Sequence, residues 1–172
     1  ENKLYNAAAV FNRNKLITVV HKTLLPTYDV FDEDRYFTPA KVEEITPISL
    51  SINGTKLNLG VEICEDLWDD VYDIKVTDIL ANKGADLIIN LSSSPFYIGK
   101  CYEREKILRN KATTLKVPII YTNLVGGQDE LVFDGGGFII NTDGKVIQQF
   151  DQFEEQIVIG DLEAPSNHEK RK

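Results

Sequence analysis

The segment Gly60-Val61-Glu62-Ile63-Cys64-Glu65-Asp66-Leu67-Trp68 carries one thiol to the end of a β-rich run, where a helix-like segment begins. A cysteine at such a junction stands on a tight turn, close to N–H groups that have no partner yet. Their positive ends favour the nucleophilic thiolate over a thiol of pKa about 8.5. The same turn offers N–H donors to an oxyanion, the logic of a strand–turn–helix nucleophile elbow. Most free cysteines are instead small buried hydrophobes. The acidic frame Glu62-x-x-Glu65-Asp66 is one that a packing thiol would not need, and Cys64 is read as a nucleophile.

A thiolate attacking an amide needs help with its proton, with the oxyanion and with the leaving nitrogen. The chain holds two histidines; His168 lies in a polar end, and His21 adjoins Lys22. Neighbours on a strand face opposite ways, so at most one of His21 and Lys22 faces the thiol. Lys22 closes the apolar run 16–20 and is the better candidate, since an ammonium beside Cys64 would favour the thiolate and donate to an oxyanion. Position alone explains it equally as a solvated strand-end lysine. Cys101, at a helix start without a motif, is read as structural.

Around these residues the periodicity predicts strands at 4–11 and 16–20, joined by the turn Asn12-Arg13-Asn14-Lys15. A long loop over 23–39 carries Tyr28, Phe31, Tyr36 and Phe37. A second hairpin pairs 48–52 with 56–63 through Asn53-Gly54-Thr55. A helix is expected over 66–82, with Leu67, Val71, Ile74, Ile79 and Leu80 inward, and a buried parallel strand over 86–91. A loop at 92–100, a helix at 102–116 and a strand at 117–123 follow. Short antiparallel strands are expected at 131–133, 137–140, 146–150 and 156–159. Strand–helix alternation flanked by hairpins implies one α/β layered domain with a mixed sheet, over 1–162, and a polar tail over 163–172.

A net charge of −8 with scattered basic residues argues against a nucleic-acid surface. No apolar run approaches a membrane span. Two cysteines make no disulfide framework, which points to a reducing, cytoplasmic compartment, and two distant histidines make a metal site improbable. The chain opens without methionine, directly on strand-like residues, as a piece of a longer fold would.

Four motifs stand in order: Tyr5-Asn6-Ala7-Ala8-Ala9 with His21-Lys22-Thr23-Leu24-Leu25-Pro26-Thr27-Tyr28; the Cys64 segment; Asn90-Leu91-Ser92-Ser93-Ser94-Pro95-Phe96; and Phe133-Asp134-Gly135-Gly136. Together, over 4–162, they resemble the nitrilase (carbon–nitrogen hydrolase) superfamily, and within it the glutaminase domains of glutamine-dependent NAD synthetases. The resemblance implies an α-β-β-α four-layer sandwich, incomplete at its N-terminus. It makes Cys64 the residue that forms a thioester with a γ-glutamyl group, and Lys22 the oxyanion holder together with the N–H after Cys64. Tyr28 and Glu65 match glutamine-pocket positions, Ser93 and Arg104 positions of substrate-side contact, and Glu33 the second glutamate near the lysine. Taken by themselves, Tyr28 would equally pack a loop, Ser93 would equally serve a turn, and Arg104 fits a solvated charge cluster in Glu103-Arg104-Glu105-Lys106.

The implied partners are glutamine and an ammonia-accepting synthetase domain that amidates deamido-NAD, in a homo-oligomeric parent protein. ATP and magnesium belong to that other domain, and no cofactor to the glutaminase reaction. The superfamily's general-base glutamate precedes the lysine by a long stretch, which places it upstream of this chain. Little glutaminase activity is therefore expected from these residues alone. A stand-alone amidase acting on another small amide and an inactive truncated domain are the alternatives. Asp134-Gly135-Gly136-Gly137 is read as backbone shaping, with Gly137 standing where the family has a serine.

Overall fold

The computed structural model describes residues 3–52 and 54–162. The expected tail over 163–172, with His168, and the turn residue Asn53 lie outside the described residues.

Strands β1 (Ala7–Asn12) and β2 (Lys15–His21) form a separate antiparallel hairpin, whose turn residues Arg13 and Asn14 both take positive φ, +49° and +60°. Such a turn matches the right-handed twist of its strands. A six-stranded sheet contains β3 (Ile48–Ile52), β4 (Thr55–Ile63), β5 (Leu87–Ser92), β6 (Ile119–Asn123), β9 (Phe138–Ile140) and β10 (Val146–Gln149), in the order β10-β9-β6-β5-β4-β3. Its centre, β4-β5-β6, is parallel, and antiparallel partners close both sides. Parallel strands need crossovers, and helices α1 (Val76–Asn82) and α2 (Lys100–Leu115) supply them. A second hairpin, β7 (Val125–Gln128) with β8 (Leu131–Asp134), completes the strands.

The pleat sorts the side chains of β4 onto two faces. Leu59, Val61 and Ile63 pack with Ala8, Val10 and Val20 of the β1–β2 hairpin. The opposite face carries the main core, where Leu80, Ile88, Leu108, Ile119, Tyr121 and Phe138 meet beneath the helices. Gly60 lies on that face because a Cβ there would come within 2.5 Å of Ile88 Cδ1. Helices, six-stranded sheet and hairpin thus stack as an α-β-β succession, the mixed-sheet sandwich expected from the motifs.

Two expectations need correction. The helix over 66–82 is absent before Val76; 3-10 turns occupy Cys64–Leu67 and Asp69–Val71 instead. The Asp66 carboxylate takes the Ile63 N–H at 3.0 Å, and Lys75 Nζ takes the carbonyls of Asp69 and Asp70, at 2.5 and 3.1 Å. Those side chains hold the backbone in separate turns, and Val71 points outward at 87% exposure. Residues 156–159 form no strand: Ile157 and Ile159 are exposed and unpaired in any ladder. Gly126 and Gly127 lie within β7. The missing serine at Gly137 also has a reason, since a Cβ there would sit 2.6 Å from the Tyr121 carbonyl oxygen and from Phe150.

Candidate active site

Cys64 opens the turn that follows β4 and has φ +48°, a left-handed conformation unusual for a residue with a Cβ. Such strain persists only where the surroundings impose it, and it concentrates at functional positions. The residue is partly buried and packs at the margin of the apolar cluster between hairpin and sheet. Burial pushes the thiol pKa up; the Lys22 ammonium, the Ser93 N–H and the Ser92 hydroxyl pull it back. The upward direction corrects the expectation of a standing thiolate. No α-helix begins at Cys64 to supply the anticipated field, and dense surroundings penalise the anion.

Lys22 follows the last residue of β2 and is 1% exposed. Its N–H donates to the Asn6 carbonyl at 2.8 Å and its own carbonyl accepts from Ala40 at 2.9 Å, so the backbone is held from two sides. Nζ meets Glu33 Oε1 at 2.6 Å, and Asn6 Nδ2 donates to Glu33 Oε2 at 3.3 Å. A buried ammonium persists only with such a partner. His21 faces away: it stacks on Tyr5 at 4.0 Å and lies 3.6 Å from Glu44. The strand alternation thus selects Lys22 over His21 for the thiol.

Glu65, buried, accepts from the Tyr28 hydroxyl at 2.9 Å and from the Tyr72 hydroxyl at 3.0 Å. Burial raises its pKa, against the opposing pull of the two phenols and Lys22. Tyr72 is itself pushed up to about 12 by burial and by the Glu65 charge. Tyr28 is half exposed, its ring edge against Phe31. Its hydroxyl, turned to Glu65, is doing more than packing a loop.

Ser93 is exposed and meets Cys64 through its backbone N–H. Arg104 is corrected. Its guanidinium is fully buried, bonded to both Asp134 oxygens at 2.7 and 2.9 Å and to the Ser94 carbonyl at 2.9 Å. It is neither a solvated surface charge nor free to touch a substrate. With Asn123, which accepts the Ser94 N–H at 2.8 Å, it fixes the loop that presents Ser93.

A second cation near the site, besides Lys22, is Lys100, which sequence reasoning missed. Its Nζ lies 3.6 Å from the Trp68 ring centroid and 3.7 Å from Glu103 Oε2. It feels the charges of Glu65 and Cys64, and burial lowers its pKa. Lys100 opens α2, where a cation opposes the helix dipole. The sequence places residue 100 in a loop ahead of a helix at 102, so no local signal singles it out. Tyr72 was missed as well, having no motif around it. Among the described residues no three His, Cys, Asp or Glu side chains converge as a metal site requires.

The carbon–nitrogen hydrolase family pattern matches residues 1–172. The chain belongs to the carbon–nitrogen hydrolase family. This carbon–nitrogen hydrolase chain is 40% identical over 166 residues to the glutamine-dependent NAD(+) synthetase of Synechocystis sp., with 92% of the chain and 29% of that protein covered. Against the glutamine-dependent NAD(+) synthetase of Thermotoga maritima the identity is 42% over 163 residues, with 95% and 27% covered. The structure of the glutamine-dependent NAD+ synthetase of Acinetobacter baumannii superposes with TM-score 0.78 at 36% identity, covering 90% of this chain and 28% of that one. A carbon–nitrogen hydrolase from Helicobacter pylori G27 superposes with TM-score 0.75 at 27% identity, covering 88% and 54%. The chain therefore spans under a third of the synthetases it matches. No helix among the described residues is long and apolar enough to cross a membrane.

Proposed function

We propose that this chain is the glutamine-hydrolysing part of a glutamine-dependent NAD synthetase, working in the cytoplasm. The Cys64 sulfur attacks the γ-amide carbon of glutamine as its proton passes to a carboxylate base. The carbonyl oxygen becomes an oxyanion, held by the Lys22 ammonium and the N–H that follows Cys64. Collapse breaks the C–N bond; the nitrogen takes up a proton and leaves as ammonia, and a γ-glutamyl thioester remains on Cys64. Water then cleaves the thioester to glutamate. Glu33 holds the Lys22 ammonium in place. Glu65, framed by the Tyr28 and Tyr72 hydroxyls, suits the substrate's α-ammonium, Lys100 suits its α-carboxylate, and the Ser93 segment closes the pocket beside the sulfur. The ammonia goes to a synthetase domain that uses ATP and magnesium to amidate deamido-NAD. The reaction at Cys64 itself asks for no cofactor, and the parent protein is read as a homo-oligomer.

The observation that carries this reading is the buried Lys22 ammonium, which pairs with the partly buried Glu33 and opposes the upward push of burial on the Cys64 thiol. The test is labelling with a glutamine-shaped electrophile, read by mass spectrometry. The adduct is expected on Cys64, lost in Cys64→Ala and suppressed by glutamine far better than by simple amides. An adduct elsewhere, or equal protection by propionamide, would overturn the glutamine assignment.

A further inference from the structure

Lys22 and Cys64 directly follow strands of different sheets, β2 of the hairpin and β4 of the six-stranded sheet, which share no ladder. Where the two sheets meet, the packing is apolar: Ala8, Val10 and Val20 against Leu59, Val61 and Ile63. Apolar contact is non-directional and tolerates sliding, whereas an ammonium serving a thiolate must be held to a fraction of an ångström. Something directional has to set the spacing.

Asp66 is 1% exposed and sits two residues past the sulfur. Its Oδ1 accepts the N–H groups of Thr23, at 3.1 Å, and Leu24, at 2.8 Å, the two residues directly after Lys22. Its Oδ2 accepts the N–H of Ile63, at 3.0 Å, the residue directly before Cys64. One planar group thus grips the chain next to the ammonium and next to the sulfur. Backbone N–H groups bonded to a carboxylate are short, charge-assisted contacts with strict direction. We infer that Asp66 is a positioning residue, a clamp between the two sheets that sets the Lys22–Cys64 geometry and through it the acidity of the thiol. The inference rests on the roles proposed above for Lys22 and Cys64.

Asp66→Asn tests it. The amide can satisfy one side of the clamp, but its NH2 then opposes an N–H on the other. The readout is the pH dependence of Cys64 alkylation by iodoacetamide in the full chain, followed by peptide mass spectrometry so that Cys101 does not contribute. If the clamp acts through Lys22, the alkylation midpoint of Cys64 moves up by about one pH unit. Lys22→Met produces a similar shift, and the double variant no further one.

A midpoint that moves down would overturn the inference, since loss of a nearby negative charge alone acts in that direction. Additive shifts in the double variant would overturn it as well. Should Asp66→Asn fail to fold, hydrogen exchange in the unaltered protein decides. A clamp makes the Thr23, Leu24 and Ile63 amides open together, and unrelated exchange rates count against it. Iodoacetamide reports the thiol whatever the substrate, so the clamp and the glutamine assignment can fail separately.

Discussion

Cys64 carries the clearest local signature in the chain, and Lys100 shows how a site residue hides. The turn motif around Cys64 is contiguous, so strand, turn and acidic neighbours are all read within a few residues. Lys100 gains its meaning from the Trp68 ring and the Glu65 charge, which the chain brings to it only on folding. Its proposed contact with the substrate's α-carboxylate predicts that Lys100→Ala raises the glutamine concentration needed to protect Cys64 by about 10- to 100-fold, the range of one charge-assisted contact. Lys100→Arg should keep part of that affinity. Protection unchanged in Lys100→Ala, measured by competition labelling, would remove Lys100 from the pocket. Arg104 is the opposite case. Its charged neighbours Glu103, Glu105 and Lys106 disguise a guanidinium that the fold takes inside.

Helix α2 explains that disguise. Its sheet-facing side includes Arg104 and Lys111 beside Leu108 and Ala112, so its hydrophobic periodicity is blurred. Lys111 is answered by Asp69 at 2.8 Å and Arg104 by Asp134 at 2.7 Å. Each pair ties the helix to the end of a turn or strand near the site. Removing one partner strands the other charge, so Arg104→Met is expected to lower unfolding free energy by ~3–5 kcal/mol. Urea denaturation checks it, and pairing Arg104→Met with Asp134→Leu should return part of the loss. The elements themselves were mostly legible: hairpins from Arg13-Asn14 and Gly54, parallel strands from the apolar runs 86–91 and 117–123. The helix expected from Asp66 onward was not, because Lys75 takes the Asp69 and Asp70 carbonyls that a helix would have used, and Asp66 is drawn to the N–H groups of Thr23 and Leu24 in a distant segment.

At the scale of the molecule, the sandwich buries carboxyls between its layers. Glu62 lies on the helix side of β4, bonded to Thr77 at 2.9 Å and to Asn90 at 3.1 Å. Burial first, then the Asp66 charge, raises its pKa from 4.5 to about 8. Asp66 rises from 3.8 to about 6, chiefly by burial. A carboxyl raised on folding contributes stability that is complete below its unfolded pKa and lost as pH passes its folded one. The melting temperature is therefore expected to fall as pH rises from 5.5 to 8.5, with Glu62 responsible for the upper part. Glu62→Gln should flatten that upper part, and a melting temperature constant from pH 6 to 8.5 would contradict the assignment.

The chain's order of residues alone pointed to Cys64 and to Lys22 over His21 as site candidates, and determined the mixed α/β plan and the family, because each is written in contiguous motifs or in strand alternation. Only the tertiary structure decided that burial pushes the thiol pKa up, that Arg104 braces a loop from inside while Lys100 lies over Trp68, and that one carboxylate joins two sheets. Those properties depend on burial and on charges brought together from distant segments, and no local pattern encodes the distance between them.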